Sequence, residues 1–290
     1  MSTYTTVDIP VDGGELRAGV WGRSGPLVVA VHGTTAHHLA WEPLARDLAV
    51  DHRIVAVDLR GRGGSRELPP PYGVAAHVED LAAVVDSLGE GPVIVVGHSI
   101  GGTVAVEAAR QGLASRLVLT DGGPLQPVPE GVPVGAGAAE VAAAVARVMG
   151  PAFGRLTRTF DGPEEYLAFW RAHPALAQWP SSMDDFVRAD LVPAEAGGWR
   201  SACVLAAAER DSVDLYNYAG APEEPVPVPT VLLRAERGML DEPERPFYPP
   251  GYGPKWLPGL EERTVPGVNH YTLVLGDAGA TAIAAVVRGR

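Results

Sequence analysis

Pro92-Val93-Ile94-Val95-Val96-Gly97-His98-Ser99-Ile100-Gly101-Gly102 is the stretch on which the fold turns. Its first five residues form an apolar run bounded by turn formers, the pattern of a strand covered on both faces. From Ser99 to Gly112 the pattern becomes helical, with Gly112 as a C-terminal stop. Between strand and helix lies G-x-S-x-G, and a serine in that motif sits on a sharp, strained strand-to-helix turn. The glycines let neighbouring backbone approach closely. The turn also places Ser99 at a helix N-terminus, where the dipole and free N–H groups favour a developing negative charge.

The same strand form recurs outward from this point. Pro26–Val31 and Arg53–Val57 are short apolar runs ending at His32 and Asp58, and Arg116–Thr120 ends at Asp121. Tyr4–Ile9 and Glu15–Trp21 flank the turn signal Asp12-Gly13-Gly14, which predicts an antiparallel hairpin. In His77–Leu88 the apolar residues Val78, Leu81, Val85 and Leu88 recur at helical spacing. Strands alternating with helices predict an α/β fold built on a parallel sheet.

The texture changes after Gly122. Residues 122–138 are rich in Gly and Pro, Ala139–Val148 reads as a helix, and Glu164–Ala172 carries Tyr166, Phe169 and Trp170. A Pro-rich linker, Ala221–Pro229, closes the block. The sheet pattern then resumes with Thr230–Arg234, a short strand near Arg263–Val265 and a helix at Asp277–Val287. A long, aromatic-bearing block is thus inserted between two strands of one sheet.

Composition narrows the function classes. With 46% apolar and 20% charged residues among 290, the chain reads as an ordinary globular protein. A formal charge of −12 argues against nucleic acid or anionic membrane surfaces as partners. Cys203 is the only cysteine, so no intrachain disulfide forms, and its expected role is that of a buried small apolar residue. No signal peptide is visible at Met1–Pro10, and no run of ~18 apolar residues occurs, so the expected location is cytoplasmic. The sequence leaves room for a homodimer.

His270, in Val268-Asn269-His270-Tyr271 after the last strand, is the natural base to take the Ser99 proton and return it to a leaving group. With the elbow, His32-Gly33 after the third strand, and Asp58-Leu59-Arg60-Gly61-Arg62-Gly63-Gly64-Ser65, the chain resembles the α/β-hydrolase superfamily. The likeness spans residues 1–121 and 229–290. It implies a mostly parallel eight-stranded sheet flanked by helices, with residues 1–122 and 229–290 as the core domain. Residues 123–228 would form a helical cap. It also implies an oxyanion hole from the backbone N–H groups of Thr34 and Ile100, and no cofactor or metal. A serine at the elbow disfavours epoxide opening and dehalogenation, whose enzymes carry an aspartate there.

The third triad member departs from the commonest pattern of that superfamily. The position after Thr230–Arg234 where an aspartate would stand is Gly238. Glu236, Asp241 and Asp121 are the substitutes. Asp121 is the expected acid, because it follows the strand after the elbow and keeps the order nucleophile, acid, base. Some relatives carry their acid after this same strand.

Other residues draw rival readings. His32, His37 and His38 lie close in sequence but lack zinc-like spacing, and His37 and His38 are expected to line or rim the pocket or to be exposed. Asp58 and Arg60 are expected to be structural, and Gly61–Gly64 lacks the ending of a phosphate loop. The aromatics Phe153, Phe160, Tyr166, Phe169, Trp170, Trp179 and Phe186 are expected to divide between the block's own core and the substrate. The function so read is hydrolysis of a carboxylic ester, lactone or thioester with an apolar group, through an acyl-enzyme on Ser99. A carbon–carbon bond hydrolase using the same triad stays as an alternative. So does a non-hydrolytic ligand-binding or ring-closing protein.

Overall fold

The computed structural model describes residues 4–126, 138–217 and 225–290. Its strands are β1 (Thr5–Val11), β2 (Gly14–Trp21), β3 (Leu27–Val31), β4 (Arg53–Val57), β5 (Val93–His98), β6 (Ala114–Thr120), β7 (Leu191–Pro193), β8 (Trp199–Ser201), β9 (Thr230–Ala235) and β10 (Glu261–Val265). The helices are α1 (Glu42–Leu48), α2 (Val74–Leu88), α3 (Ile100–Arg110), α4 (Ala138–Phe153), α5 (Pro163–Arg171), α6 (Met183–Ala189), α7 (Leu205–Asn217), α8 (Gly253–Trp256), α9 (Thr272–Leu275) and α10 (Asp277–Val287).

Eight strands form one sheet in the order β1-β2-β4-β3-β5-β6-β9-β10. β1 pairs with β2, and β2 with β4, in antiparallel fashion; the remaining pairs are parallel. This is the α/β-hydrolase fold that the sequence predicts. Alternate residues along each central strand serve opposite faces. Val28 and Ala30 of β3 pack with Ile54, Ala56 and Val96 on the side covered by Leu44 and Leu48 of α1 and Ile283 and Val287 of α10. Leu27, Val29 and Val31 pack with Val55, Val95 and Leu117 on the side covered by α2 and α3, through Val78, Leu81 and Val104. The result is three layers with apolar strands in the middle, as buried parallel sheets require.

The chain runs from β3 to β4 on one side, then crosses to β5 on the other side of β3. Strand order therefore reverses between β3 and β5, and ligands of open α/β sheets bind beyond the carboxyl ends of strands at such a point. Thr34 follows β3, Ser99 follows β5, Asp121 follows β6 and His270 follows β10.

The block between β6 and β9 contains α4 to α7, and also the small antiparallel ribbon β7–β8, which the helical reading of the sequence did not include. Its residues Phe160, Tyr166, Leu167, Met183 and Val187 join the same apolar cluster as α1 and α10. Most of the Gly/Pro-rich stretch at 122–138 and part of the linker at 221–229 lie outside the described residues. No helix among the described residues is long and apolar enough to cross a membrane.

Candidate active site

Ser99 has φ 54° and ψ −122°, a left-handed backbone that a non-glycine residue rarely adopts. Such a conformation costs of order 1–3 kcal/mol and persists only where its surroundings over-determine it. Those surroundings are glycines in close approach. A Cβ on Gly97 would lie 2.2 Å from the Gly101 carbonyl oxygen, and one on Gly101 would lie 2.2 Å from that of Val31. Ser99 is the N-cap of α3, so the Ile100 N–H stands at the helix start, ahead of the intrahelical ladder. The Gly33 backbone also lies against the elbow, since a Cβ there would be 3.2 Å from Ser99 Cβ.

His270 donates from Nδ1 to Asp121 Oδ2 at 3.1 Å, and both side chains are buried. The other Asp121 oxygen accepts from the Ala235 N–H of β9 at 2.9 Å. Asp121 has φ 44° and its own N–H donates to Leu233 O at 3.0 Å, so β9 fixes the carboxylate from both backbone and side chain. The two alternatives face elsewhere. Glu236 Oε2 accepts from the Gly267 N–H at 2.8 Å, while Asp241 accepts from Arg237 Nε at 2.8 Å and from Asn269 Nδ2 at 3.0 Å. At Gly238 a Cβ would meet the Arg245 carbonyl oxygen at 2.0 Å, so no longer residue fits that position as the chain now runs.

Two further rings hold the imidazole of His270. His98 lies 4.5 Å away between centroids, and Phe247 lies 4.1 Å away. His98 Nε2 donates to the His270 carbonyl oxygen at 3.1 Å. Burial, and then the neighbouring His270, keep the His98 pKa well below the usual imidazole value, so it acts here as a neutral donor. Neither ring carries a signal in the sequence. His98 is a variable position of the elbow motif, and Phe247 lies in a Pro-rich loop with no periodic pattern to mark it.

Ser99 and His270 line one cavity of about 470 Å³, together with Thr34, Phe153, Arg155, Phe169, Trp170 and Phe186. The aromatics of the block thus divide. Phe153, Phe169, Trp170 and Phe186 face the cavity, while Phe160 and Tyr166 are wholly buried in the core cluster. Trp179 packs against that cluster without lining the cavity, donating to Asp184 at 2.7 Å under the Arg171 guanidinium.

The histidines near β3 require a correction. His37 and His38 are not at the pocket rim or exposed; both are buried, and neither lines the cavity. His37 stacks on Phe186 at 4.5 Å and donates from Nε2 to its carbonyl oxygen at 2.9 Å. His38 donates from its backbone and from Nδ1 to Asp58 Oδ1, at 2.6 and 2.8 Å. Ligand-type atoms of His37, His38 and Asp58 lie within 4.8 Å of one another. Each is already committed, because Asp58 Oδ2 accepts from the Gly64 N–H and His38 Nε2 meets the Tyr4 hydroxyl. The residues do not fit a metal without surrendering bonds that hold the loop.

His32 donates from Nδ1 to Gly33 O at 2.7 Å and accepts from the Leu59 N–H at 3.0 Å. Burial lowers its pKa to about 3, consistent with that neutral clamp between the ends of β3 and β4. Arg62 is fully buried and donates to Thr34 O at 2.8 Å and to Asp211 at 2.5 Å. Arg60 makes a two-pronged pair with Asp80. Asp58, Arg60 and Arg62 therefore hold the loops that frame the site. Cys203 is buried beside Thr34 O, and burial pushes its thiol up to about 11.

The Alpha/beta hydrolase family model matches residues 28–286, and the chain belongs to that family. Among curated relatives, it is 44% identical over 110 residues to Lipase LipV of Mycobacterium tuberculosis, covering 37% of this chain and 41% of the lipase. It is 37% identical over 86 residues to 2-(acetamidomethylene)succinate hydrolase of Mesorhizobium japonicum, covering 30% of this chain and 31% of that one. These matches span less than half of each relative. Among solved structures it is similar to E-2-(acetamidomethylene)succinate hydrolase, with a TM-score of 0.73, 24% identity and coverage of 99% and 98% of the two chains. A thioesterase domain from the curacin biosynthetic pathway gives a TM-score of 0.74 at 20% identity, covering 99% of each chain. At such identities the likeness is one of fold.

Proposed function

We propose that this chain is a serine hydrolase that cleaves a carboxylic ester, lactone or thioester bearing an apolar group. The reading rests on the 3.1 Å contact of His270 Nδ1 with Asp121, made beside a cavity that Ser99 and His270 share. A carboxylate accepting from Nδ1 leaves Nε2 unprotonated and able to take the Ser99 proton. Ser99 Oγ then attacks the acyl carbon. The oxyanion is met by the N–H groups of Thr34 and Ile100, each worth roughly 3 kcal/mol in the transition state. His270 returns its proton to the leaving group, and then activates the water that releases the acid and frees Ser99.

In this reading residues 1–122 and 229–290 are the catalytic core, and 123–228 form the cap. The cap supplies the aromatic wall of the cavity, which excludes water and accepts the apolar portion of the substrate. The partial likeness to a lipase agrees with an acyl substrate.

A fluorophosphonate probe tests the reading. It should label the protein once, at Ser99, and a panel of esters, lactones and thioesters should include turned-over members. Absence of label together with an inert panel defeats the reading; turnover of a β-diketone alone in a wider panel would favour carbon–carbon cleavage.

A further inference from the structure

Arg155 sits in the turn Gly154–Thr157 that follows α4. It is buried, yet it lines the same cavity as Ser99. Among the described lining residues it is the one permanently charged side chain, and no Asp or Glu joins it. Its negative partner lies behind the wall. Nη1 faces Asp190 at 3.1 Å, Ser201 Oγ at 3.0 Å and the Tyr166 hydroxyl at 2.8 Å, and none of these three residues lines the cavity. Nη2 points the other way, donating to Thr35 O at 3.1 Å, and Thr35 does line it. An Nη carries two hydrogens, and this is its single bond among the described residues. The Trp170 ring covers one face of the guanidinium at 4.9 Å and holds its plane.

We propose that Arg155 receives a carboxylate of the substrate, so that the acyl group cleaved at Ser99 carries a second, anionic carboxyl group. This rests on the hydrolase reading above and adds the charge of the substrate to it. The pair with Asp190 is a dipole whose positive end meets the cavity. An anion entering an apolar cavity loses its water, and that cost is severe unless a fixed charged donor replaces it. An ammonium group would find no carboxylate there. Thr35, which Arg155 holds, is the next residue after Thr34, whose N–H is assigned to the oxyanion. The carboxylate is therefore separated from the scissile carbonyl by a short spacer.

The test compares the monoethyl esters of succinate, glutarate and adipate with the ethyl esters in which isopropyl replaces the carboxylate. At least one charged ester should exceed its neutral counterpart in kcat/KM by about tenfold or more. Arg155→Met should cut that ratio at least tenfold. Because that variant leaves Asp190 buried and unpaired, the double variant Arg155→Met/Asp190→Asn provides a second protein free of the orphaned charge. Calorimetry gives a reading independent of turnover: Ser99→Ala should bind glutarate or a neighbouring dicarboxylate, and lose it when Arg155→Met is added. Neutral esters hydrolysed faster than every charged one, or a preference that survives loss of Arg155, overturns the proposal while the hydrolase reading stands. If no ester is turned over and the fluorophosphonate does not label, the hydrolase reading fails, and calorimetry still decides whether Arg155 binds a carboxylate.

Discussion

The sheet that carries Ser99 and the block between β6 and β9 are both buried, but different chemistry holds them. In β3 all five residues are buried and apolar, and every strand neighbour satisfies its backbone through a ladder. Among the described residues the block has one ribbon of two three-residue strands, so few strand ladders connect its helices. Beside its apolar residues runs a buried polar network: Arg155 bonds Tyr166 of α5, Asp190 after α6, Ser201 of β8 and the Thr35 carbonyl of the core. Where backbone hydrogen bonds set the register, the interior can be featureless hydrocarbon. Where they do not, a buried side-chain network fixes how elements meet, at the cost of desolvating a charge.

The largest expected effect lies on the sheet side. Ser99→Ala should remove ester turnover by about 10⁴-fold or more while the thermal unfolding midpoint stays near wild type, because only the attacking atom is lost. Retained activity on any good ester would move the nucleophile elsewhere. Asp121→Asn should lower kcat by ~10³–10⁴-fold, whereas Glu236→Gln and Asp241→Asn should each cost under about tenfold. Collapse of one of those two with Asp121→Asn intact would transfer the acid to the loop after β9.

Two phenylalanines sharpen the contrast inside the block. Phe160 is fully buried with its ring 4.7 Å from that of Tyr166, so Phe160→Ala should destabilise by about 3–5 kcal/mol in urea unfolding. Relative rates across an ester series should hardly move. Phe169 faces the cavity, and Phe169→Ala should shift acyl-chain preference by roughly tenfold, or ~1.4 kcal/mol, with a smaller stability loss. Equal losses on every ester would mean that Phe169 only holds the block together.

The smallest effect is a pH dependence shared with the core. Folded His32 titrates at about 3, against about 6.5 when unfolded. Below that higher value the unfolded chain binds a proton that the folded chain refuses, so stability falls as pH drops from about 6.5 toward 3. At about pH 5.5 the His32 contribution is a loss of roughly 1.3 kcal/mol relative to pH 7. Urea unfolding at both pH values should show it, and His32→Gln should flatten the slope even if it lowers stability at each pH.

Much of the core was legible because its signals are local. The two-residue turn at Asp12-Gly13 closes the β1–β2 hairpin with Val11 opposite Gly14, within a residue or two of the expected strands. Residues 99–112 read as a helix and α3 spans Ile100–Arg110. The block was less legible. β7 and β8 are three residues each, too short for alternation to register, and nothing around Arg155 in sequence separates it from a surface arginine. His37 and His38 read as rim residues because no local rule places Asp58 beside them.

The sequence alone determined where apolar runs alternate with helices, and that a strained serine stands between β5 and α3. Only the tertiary structure decided which carboxylate meets His270, since Asp121 lies 149 positions away. It also decided which aromatics face the cavity and that Arg155 turns one end toward it. Periodicity reports the face of an element to which a residue belongs, because side-chain direction repeats with the backbone. What that face meets depends on strand order and on how the inserted block folds back, and those follow from contacts between residues far apart in the chain.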